Sequence, residues 1–493
     1  MPNVTIIGAG FSGLSAAVYL AQKGYNVCIL EKNDIPGGRA RNYSQNGFTF
    51  DLGPSWYWMP DVLERFFNNF GKSTSDFYQL KRLNPGYRIF FAENDFFDVP
   101  ANLEHLYDLF ESLDKGSGQR LMKFLKHAEY KYKLGIGKIV YKPGLNFIEF
   151  INRDLLSGLF QLNVFSTVTS VISKVTKEQK LRQLLEFPVL FLGSIPQKTP
   201  ALYTLMNYAD FVLGTWYPMG GMFKIVKAMV HLAESLGVKI NYNSDVELIN
   251  IETSKITSVI AGNKQYDMDI LVGSADYHHI EQRLIPEKYR RYNEKYWDSR
   301  VLAPSAILFY LGINNKLPKL KHHNLFFDVD FYKHADEIYT HPQWPENPAI
   351  YVSCTSRTDP TVAPEGSENL TILIPVAPGL NDTEKERERL YEYAVAKIEK
   401  FSGENVRNHV IVKKIYALND FVKDYHSYKG NAYGLANTLM QTAFLKPKLV
   451  SKKLSNLFYA GQLTVPGPGV PPSIISGEIV AKLIARRFKQ NIT

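Results

Sequence analysis

The chain has 493 residues, of which 45% are hydrophobic and 21% are charged, and its formal net charge is +9. This length exceeds the usual size of one hydrophobic core, so we expect two intertwined domains, and the composition excludes a largely disordered protein. The basic residues are dispersed and form no nucleic-acid-binding module, which argues against nucleic acid as a partner. An anionic membrane surface fits the positive charge better, although the same charge is expected of a purely solubilising surface.

The two cysteines, Cys28 and Cys354, are too few for a disulfide framework or a cysteine metal cluster. The first predicted strand already begins at Val4 and no basic segment precedes it, so no secretory signal is predicted and we expect a location on the cytoplasmic side. Because no run of about 18 uninterrupted apolar residues occurs, a transmembrane helix is not predicted.

Residues 3–31 follow the order strand, glycine-rich turn, helix and second strand, which is typical of a nucleotide-binding βαβ unit. Gly8 permits the tight turn, Gly10 has no Cβ to hold a pyrophosphate away, and Gly13 lets the helix and the strand pack closely. Glu31 ends the second strand, where its carboxylate is placed to accept hydrogen bonds from a ribose diol and to repel the 2′-phosphate of NADP. The pattern therefore predicts FAD or NAD with its pyrophosphate at the helix N-terminus.

Two further motifs bear on the choice between these dinucleotides. Gly37-Gly38-Arg39 follows the ribose acid, and its arginine is placed to reach back to the pyrophosphate as a planar cation, which favours FAD. Near the C-terminus, Ala460-Gly461-Gln462 leads into a Pro/Gly loop and then into a helix that begins near Pro472. The N–H groups of that first helical turn carry a partial positive charge, which suits the anionic reduced ring of a flavin.

Two aromatic segments that adjoin glycines are predicted to line a ligand. The first is Gly53-Pro54-Ser55-Trp56-Tyr57-Trp58, and the second holds Trp216 and Tyr217 before the diglycine at 220–221. A turn that brings the backbone close to a flat group, followed by large aromatic side chains, is typical of a ligand wall. An aromatic cluster that closes a hydrophobic core is the alternative.

The stretch 143–175 is the most apolar part of the chain and has basic residues beside it. It predicts either an amphipathic segment in a membrane interface or a buried helix pair of a substrate domain. Within it, Phe147 and Phe150 are predicted to line the substrate channel. Glu149 lies between them and is a candidate acid or base if it is buried and unpaired, whereas an exposed helix face is the alternative.

Hydrophobic periodicity predicts helices over residues 61–69, 103–135 and 384–401, and strands over residues 87–91, 96–99, 305–312 and 369–376. Four short β-rich runs between residues 238 and 275 predict a small sheet that rejoins the first domain, so the nucleotide domain is discontinuous. The charges of helix 384–401 predict a solvated face. The pairs His278-His279 and His322-His323 have no carboxylate partner at metal spacing, and no metal site is predicted.

The N-terminal unit, Gly37-Gly38-Arg39, the Asp51-Leu-Gly-Pro-Ser-Trp run, Trp216-Tyr-Pro-Met-Gly-Gly and the C-terminal Ala-Gly-Gln and Pro/Gly block together resemble the bacterial phytoene desaturase family. The Trp56-Tyr57-Trp58 run and the C-terminal block are especially similar to the phytoene desaturases of Bacteroidetes-type bacteria. The resemblance extends from residue 3 to about residue 485. It implies an α/β fold in which a discontinuous Rossmann-like FAD-binding domain joins an α+β substrate domain, as in amine oxidases and phytoene desaturases.

Carried onto this sequence, the resemblance implies FAD as the cofactor and a cofactor site made of Gly8, Gly10, Ser12, Gly13, Glu31, Lys32, Gly38, Arg39, Gly53, Pro54, Ser55, Val246, Gly461, Gln462, Pro471, Pro472 and Ser473. It further implies a hydrophobic tunnel for a long polyene and a peripheral association with membranes. Some family members carry a histidine at the position of Val465 and a basic residue at that of Met219. No protein base is therefore predicted at these two positions, and the flavin is the main actor.

We predict an FAD-binding domain from residues 1–78, 214–285 and 450–493, and a substrate domain from residues 79–213 and 286–449. The predicted activity is FAD-dependent desaturation of a carotenoid, with phytoene converted towards lycopene by hydride transfer to the flavin. Quinone or oxygen is the expected electron acceptor. The alternatives are a desaturase of a hydroxylated or later carotenoid, a polyene isomerase, a flavin amine oxidase and a non-enzymatic prenyl-lipid carrier.

Overall fold

The computed structural model of the protein describes residues 1–146, 149, 166–190 and 195–488. Its strands are β1 Asn3–Ile7, β2 Asn26–Leu30, β3 Asn42–Gln45, β4 Phe48–Asp51, β5 Leu80–Arg82, β6 Tyr87–Ala92, β7 Asp95–Val99, β8 Trp216–Pro218, β9 Lys239–Asn241, β10 Val246–Glu252, β11 Lys255–Ala261, β12 Lys264–Asp267, β13 Ile270–Gly273, β14 Ser305–Ile313, β15 His323–Phe326, β16 Ile350–Ser353, β17 Glu368–Val376, β18 Val410–Tyr416 and β19 Leu457–Tyr459. Its α-helices are α1 Phe11–Gln22, α2 Pro60–Asn68, α3 Leu103–Leu113, α4 Ser117–Leu134, α5 Val168–Ile172, α6 Gln179–Leu190, α7 Leu205–Asn207, α8 Phe223–Ser235, α9 Tyr277–His279, α10 Glu294–Asp298, α11 Phe331–Tyr339, α12 Glu384–Ser402, α13 Leu418–Tyr425 and α14 Val470–Arg487.

A parallel sheet with the strand order β19-β13-β1-β2-β9 joins distant parts of the chain. Helix α1 follows β1 and packs against the last helix, α14, where the hydroxyl of Ser15 donates to the carbonyl of Ile474 at 2.7 Å. The contact is close because α14 has a glycine there: a Cβ on Gly477 would lie 2.4 Å from the carbonyl oxygen of Ser12. The strands of this sheet lie within three separate stretches of the chain, residues 3–30, 239–273 and 457–459, whereas the predicted domain boundaries stay a prediction.

The four runs between residues 238 and 275 do not form one sheet, which corrects part of the prediction. The runs at β9 and β13 join the parallel sheet, whereas those at β10 and β11 form a separate antiparallel sheet together with β12, which lies outside the predicted runs. The reason is burial. β13 is buried along its whole length, as a central parallel strand must be, while β10 and β11 mix buried and exposed residues and so can face water on one side.

A mixed sheet with the order β18-β14-β17-β16-β15-β6-β7 forms the second part. One face packs against α12, where the ring of Phe401 lies 5.6 Å from Phe90 and 5.2 Å from Phe326. Helix α12 therefore has a buried apolar face as well as the solvated face predicted from its charges. The opposite face of the sheet carries Tyr87 and Tyr351 into the larger hydrophobic core, towards the nucleotide-binding part.

Most elements predicted from periodicity are present. The helix predicted over 61–69 is α2, the strands over 87–91 and 96–99 are β6 and β7, and the long charged helix is α12. Within the stretch 143–175, residues 147, 148 and 150–165 lie outside the described residues. None of the helices in the described parts of the chain combines the length and the apolar character that a membrane span requires.

Candidate functional site

The turn between β1 and α1 is built around three glycines. Gly8 adopts a φ of +99°, which favours glycine, and its N–H donates to the carbonyl of Leu30 at 2.8 Å. A Cβ on Gly13 would lie 2.1 Å from the carbonyl oxygen of Gly8, so only glycine fits between helix and strand there. A Cβ on Gly10 would meet nothing within 4 Å, and no side chain caps the helix that begins after it. The space in front of Gly10, facing uncapped N–H groups, suits a pyrophosphate.

Glu31 holds this turn from the end of β2. Its side chain is buried, and its carboxylate accepts hydrogen bonds from the N–H of Ala9 at 2.7 Å, the N–H of Asn33 at 3.0 Å and the Asn33 amide at 2.9 Å. A carboxylate offers about four acceptor positions, so one remains for a ribose hydroxyl. The N–H of Ser244 donates to the Glu31 carbonyl at 2.8 Å, which brings the segment before the buried Val246 to this end of the site.

Lys32 contacts protein groups at the edge of the site. Its ammonium donates to the carbonyl of Lys423 at 2.6 Å and lies 3.0 Å from Nε2 of His426 and 3.6 Å from the carboxylate of Asp245. It thus ties the nucleotide-binding part to helix α13. In this structure Lys32 closes the edge of the site through protein groups, and its predicted contact with the cofactor stays a prediction.

Arg39 is presented towards Gly10 by two glycines in the left-handed region, Gly37 at +110° and Gly38 at +53°. A Cβ on Gly38 would lie 3.5 Å from the Cα of Gly10. Nη2 of Arg39 donates to Oγ of Ser427 at 3.0 Å, whereas its buried Nε has no hydrogen-bond partner among the described residues. Burial lowers the pKa of this guanidinium. An anionic phosphate would satisfy Nε and offset the cost of the buried charge, so these residues fit a bound pyrophosphate.

The loop after β4 crosses directly over Arg39. A Cβ on Gly53 would lie 2.1 Å from the carbonyl oxygen of Arg39, so the close approach requires glycine. Ser55 accepts a hydrogen bond from the hydroxyl of Tyr351 at 2.9 Å, and that hydroxyl also lies 2.7 Å from Nδ1 of His323. The loop that contains Pro54 is thereby fixed to the seven-stranded sheet.

Asp51 fixes the same loop to the second diglycine segment. It accepts hydrogen bonds from the N–H groups of Met222 at 2.8 Å and Phe223 at 3.1 Å, where α8 begins. Burial raises the pKa of Asp51 to about 6. The two predicted ligand segments therefore meet around one buried carboxyl group.

Trp56 lies at the centre of an aromatic cluster. Its ring stacks on that of His323 with centroids 4.1 Å apart and an interplanar angle of 12°. The rings of Trp58, Tyr87, Phe187 and Tyr351 surround it at 5.1–5.6 Å. The sequence prediction missed His323, Tyr87 and Tyr351 because strands β6, β15 and β16 bring them here from distant parts of the chain.

The other residues predicted to line the channel lie outside the aromatic cluster around Trp56 or outside the described residues. Tyr57 is buried with its hydroxyl 3.0 Å from that of Tyr78, and Tyr217 is buried with its ring 4.6 Å from that of His322. Trp216 is half-buried, and its backbone N–H donates to the carbonyl of Tyr57 at 3.2 Å. Phe147 and Phe150 lie outside the described residues. Which of these rings contacts a substrate stays a prediction.

Asp210 is a buried carboxyl group beside the aromatic cluster that sequence reasoning missed. It accepts a hydrogen bond from the hydroxyl of Tyr87 at 2.6 Å, and Thr215, which donates to it at 3.3 Å, accepts from Nε1 of Trp58 at 2.8 Å. Burial raises the pKa of Asp210 to about 7. A lone acid among the apolar residues 209–213 was the signal available in the sequence.

The C-terminal block meets the N-terminal turn. Gly461 has a φ of +116°, its N–H donates to Oγ of Ser476 at 3.1 Å, and a Cβ on it would lie 3.3 Å from Oγ of Ser12. Gln462 contacts Asn431 at 3.0 Å. Pro471, Pro472 and Ser473 form the first turn of α14, which no side chain caps. Both ends of the chain therefore border one site and present two free helix N-termini to it.

Glu149 is half-buried in a turn, where its carboxylate accepts hydrogen bonds from the N–H groups of Gly144 at 2.9 Å and Leu145 at 3.1 Å. Its role as an acid or base stays a prediction. Of the two histidine pairs, His278 lies with its Nε2 3.0 Å from the carboxylate of Glu294. Among the described residues, no group of three or more His, Cys, Asp and Glu side chains is placed to hold a metal ion.

A family model described as flavin containing amine oxidoreductase matches residues 11–485. The chain belongs to this family. Over its whole length it is similar to carotenoid desaturases within the family: it is 39% identical to the carotenoid 3,4-desaturase of Haloarcula japonica, with 98% of both chains covered. It is 30% identical to a 4,4'-diapophytoene desaturase of Staphylococcus haemolyticus, covering 97% of this chain and 98% of the other. It is 28% identical to the zeta-carotene-forming phytoene desaturase of Myxococcus xanthus, covering 97% and 93%.

Solved structures agree with the fold. An oxidoreductase from Methanosarcina mazei covers 97% of the chain with a TM-score of 0.64 at 17% identity, and putrescine oxidase covers 98% with a TM-score of 0.62 at 14% identity. The predictions of an amine-oxidase-like α/β fold and of FAD as the cofactor are confirmed, since the family is flavin-containing and the βαβ unit is built for a dinucleotide. The protein is an FAD-dependent oxidoreductase.

Proposed function

We propose that the protein is a carotenoid desaturase that introduces double bonds into phytoene, towards lycopene. The observation that carries the proposal is full-length similarity to three carotenoid desaturases, together with a site that fits FAD at both ends of the chain. Bound FAD supplies a hydride acceptor for the C–H bond that is broken. The activity of the relatives on long polyenes supports a polyene as the substrate class.

The protein residues bind the cofactor, orient the substrate and exclude water from the site. In this proposal Gly10 and Arg39 hold the pyrophosphate, and Glu31 holds the ribose. In this proposal the aromatic cluster around Trp56 supplies a largely apolar wall for a polyene, because aromatic rings and conjugated chains gain contact area against one another. A dry wall also protects the reacting carbon atoms from water.

Each new double bond releases one hydrogen as a hydride and one as a proton from the adjacent carbon. The proton needs an acceptor, for which Glu149 is the predicted candidate and water the alternative. Asp210 is a further candidate, because a carboxyl group with a pKa of about 7 is suited to exchange a proton near neutral pH. Substitution of each acid by its amide, with product formation as the readout, would separate the three possibilities.

A desaturase of a later carotenoid is the second candidate function. The 39% identity to a carotenoid 3,4-desaturase supports it, because this relative is named for action at the 3,4 position. The two functions differ in the substrate that the protein accepts. Phytoene acceptance supports the first, and acceptance of lycopene or a hydroxylated carotenoid without phytoene acceptance supports the second.

The test is expression in two bacterial strains, one that accumulates phytoene and one that accumulates lycopene, followed by chromatography of the extracted carotenoids. The expected result is coloured, red-shifted polyenes in the phytoene strain. A Gly10→Ala variant, designed to lose FAD, serves as the matched control. Unchanged carotenoids in both strains, from a folded and yellow FAD-loaded protein, would remove the desaturase proposal.

We also propose that the protein associates peripherally with an anionic membrane surface and passes electrons to a quinone or to oxygen. Exposed apolar side chains support the membrane contact: Leu145, Met440 and Leu445 are 39%, 73% and 37% exposed, and the turn at Gly144 lies against Ala443. An apolar substrate partitions into a bilayer, so access from its surface suits the reaction. Liposome co-sedimentation should increase with anionic lipid and decrease with salt. Equal sedimentation with and without anionic liposomes would refute this part.

A further inference from the structure

Lys446 is a buried lysine that has no counter-ion among the described residues. The residue is 2% exposed, and its Nζ has no hydrogen-bond partner in the same part of the chain. Burial lowers the pKa of Lys446 to about 7. An unpaired buried charge costs several kcal/mol, so a lysine at this position indicates a partner other than the described residues.

Asn437 presents an unsatisfied acceptor next to this donor. Asn437 is 5% exposed, and its side-chain oxygen also lacks a hydrogen-bond partner in the described part of the chain. Both groups face Gly467: a Cβ on this glycine would lie 3.1 Å from Nζ of Lys446 and 3.4 Å from Oδ1 of Asn437. We refer to these two side chains as the Lys446–Asn437 pair. The pair offers a donor and a neutral acceptor that both lie within 3.4 Å of one point beside Gly467.

The pair lies at the Pro/Gly loop that leads into α14. Gly467 has a φ of +136° and precedes Gly469, the N-cap residue of α14. The same block borders Ser12 of the nucleotide turn through Gly461. The pair therefore lies against the segment that runs from the nucleotide turn to the N-terminus of α14, and the partial positive charge of that helix end has the same sign as a protonated Lys446.

We propose that the Lys446–Asn437 pair is a binding site for the pyrimidine edge of the flavin, with Lys446 as the positioning residue that holds the negative charge of the reduced ring. This edge carries a carbonyl acceptor next to a ring N–H donor, which is the complement of an ammonium next to a carboxamide oxygen. Transfer of a hydride brings two electrons to the ring while the second hydrogen leaves the substrate as a proton. The ring becomes anionic, and a buried ammonium stabilises it more strongly than an exposed one.

The neighbouring Lys448 provides a matched control. Its ammonium already donates hydrogen bonds to the carbonyl of Gly144 at 2.7 Å and to that of Phe444, so these two carbonyl groups stabilise its charge within the protein. Both lysines lie on the same loop, two residues apart. Replacement of either by methionine removes one positive charge and keeps a similar side-chain length.

The experiment measures sulfite binding and the midpoint potential of the FAD-loaded protein. Sulfite adds its electron pair to the oxidised ring and bleaches its colour, and the charge of the product lies at the pyrimidine edge. Lys446→Met should weaken sulfite binding at least tenfold and lower the two-electron potential by about 30 mV for each tenfold change. Lys446→Arg should restore sulfite binding to within about threefold of the original protein, and Lys448→Met should leave both quantities unchanged.

Equal sulfite affinity and equal potential in Lys446→Met and the original protein would overturn the proposal, whatever the carotenoid product. A parallel change in Lys448→Met would do the same, since it would show a general charge effect. If Lys446→Met does not accumulate as a yellow protein, Lys446→Gln and Asn437→Leu give the same comparison with polar and apolar replacements. Neither readout needs a carotenoid, so failure here is distinguishable from failure of the proposed activity.

Discussion

Gly10 and Gly13 differ in what they contact, and their alanine variants should therefore fail in different ways. A Cβ on Gly10 would meet no protein atom within 4 Å, and Gly10 has a φ of −77°, which any residue can adopt. A Cβ on Gly13 would lie 2.1 Å from the carbonyl oxygen of Gly8. Gly10→Ala should therefore weaken FAD binding without destabilising the apoprotein, whereas Gly13→Ala should destabilise the apoprotein itself.

The magnitudes follow from these distances. Gly10→Ala should leave the apparent Tm of the apoprotein within about 2 °C, because the effects of helix capping and of chain entropy are each below about 1 kcal/mol. It should weaken FAD binding about 100-fold, or about 2.7 kcal/mol, because the methyl group occupies the space that faces the helix N-terminus. Gly13→Ala must move backbone by about 1 Å, and such overpacking costs about 1–3 kcal/mol.

The assay compares apoprotein stability with FAD affinity in both variants. Thermal unfolding of the cofactor-stripped protein measures the stability of the apoprotein. Titration with FAD, monitored by flavin fluorescence, measures the FAD affinity. Two results would refute the reasoning. One is an FAD affinity of Gly10→Ala that equals that of the original protein, and the other is a loss of apoprotein stability in Gly10→Ala as large as that in Gly13→Ala.

Three further predictions concern charged groups. Arg39→Lys should weaken FAD binding about tenfold by flavin titration, because lysine cannot replace the planar donors, while Arg41→Lys, whose arginine pairs with Asp424, should change it less than about threefold. Burial raises the pKa of Asp210 to about 7, so the folded state holds this proton more tightly than the unfolded chain does. The free energy of unfolding therefore falls as the pH rises from about 4 to 7. Asp210→Asn should raise the apparent Tm at pH 8, by the equivalent of at most about 4 kcal/mol, and leave it unchanged at pH 4. A Tm gain equal at both pH values would contradict this. Burial raises the pKa of Glu478, but the hydrogen bonds from Arg65 and Lys482 lower it by more, so the net pKa lies below its usual value. The stabilising effect of the carboxylate is therefore present above about pH 4.5 and declines as the pH falls through the lowered pKa. Glu478→Gln should lower the Tm at pH 7 by more than it does in acid, and an equal loss at both pH values would contradict this.

Local contacts explain why the nucleotide turn could be predicted. Gly8, Gly10 and Gly13 act within a few residues of one another, and Glu31 ends the next strand, so chain order alone brings them together. The helices and strands with clear periodicity were predicted for the same reason. The prediction of one small sheet was wrong in part because the four runs between 238 and 275 have similar local patterns. Burial on both faces distinguishes β13 from β10 and β11, but β9 is an edge strand whose pairing with β2 shows only in the tertiary structure.

The sequence by itself determined the cofactor class and the family, since these depend on short motifs whose spacing is preserved along the chain. Only the tertiary structure decided which distant groups meet. It brought His323 and Tyr351 to Trp56 and Ser55, and within the described part of the chain it left Lys446 without a partner beside Gly467. The physical reason is that burial and hydrogen-bond satisfaction are properties of all the neighbours of a side chain, and those neighbours come from segments hundreds of residues apart.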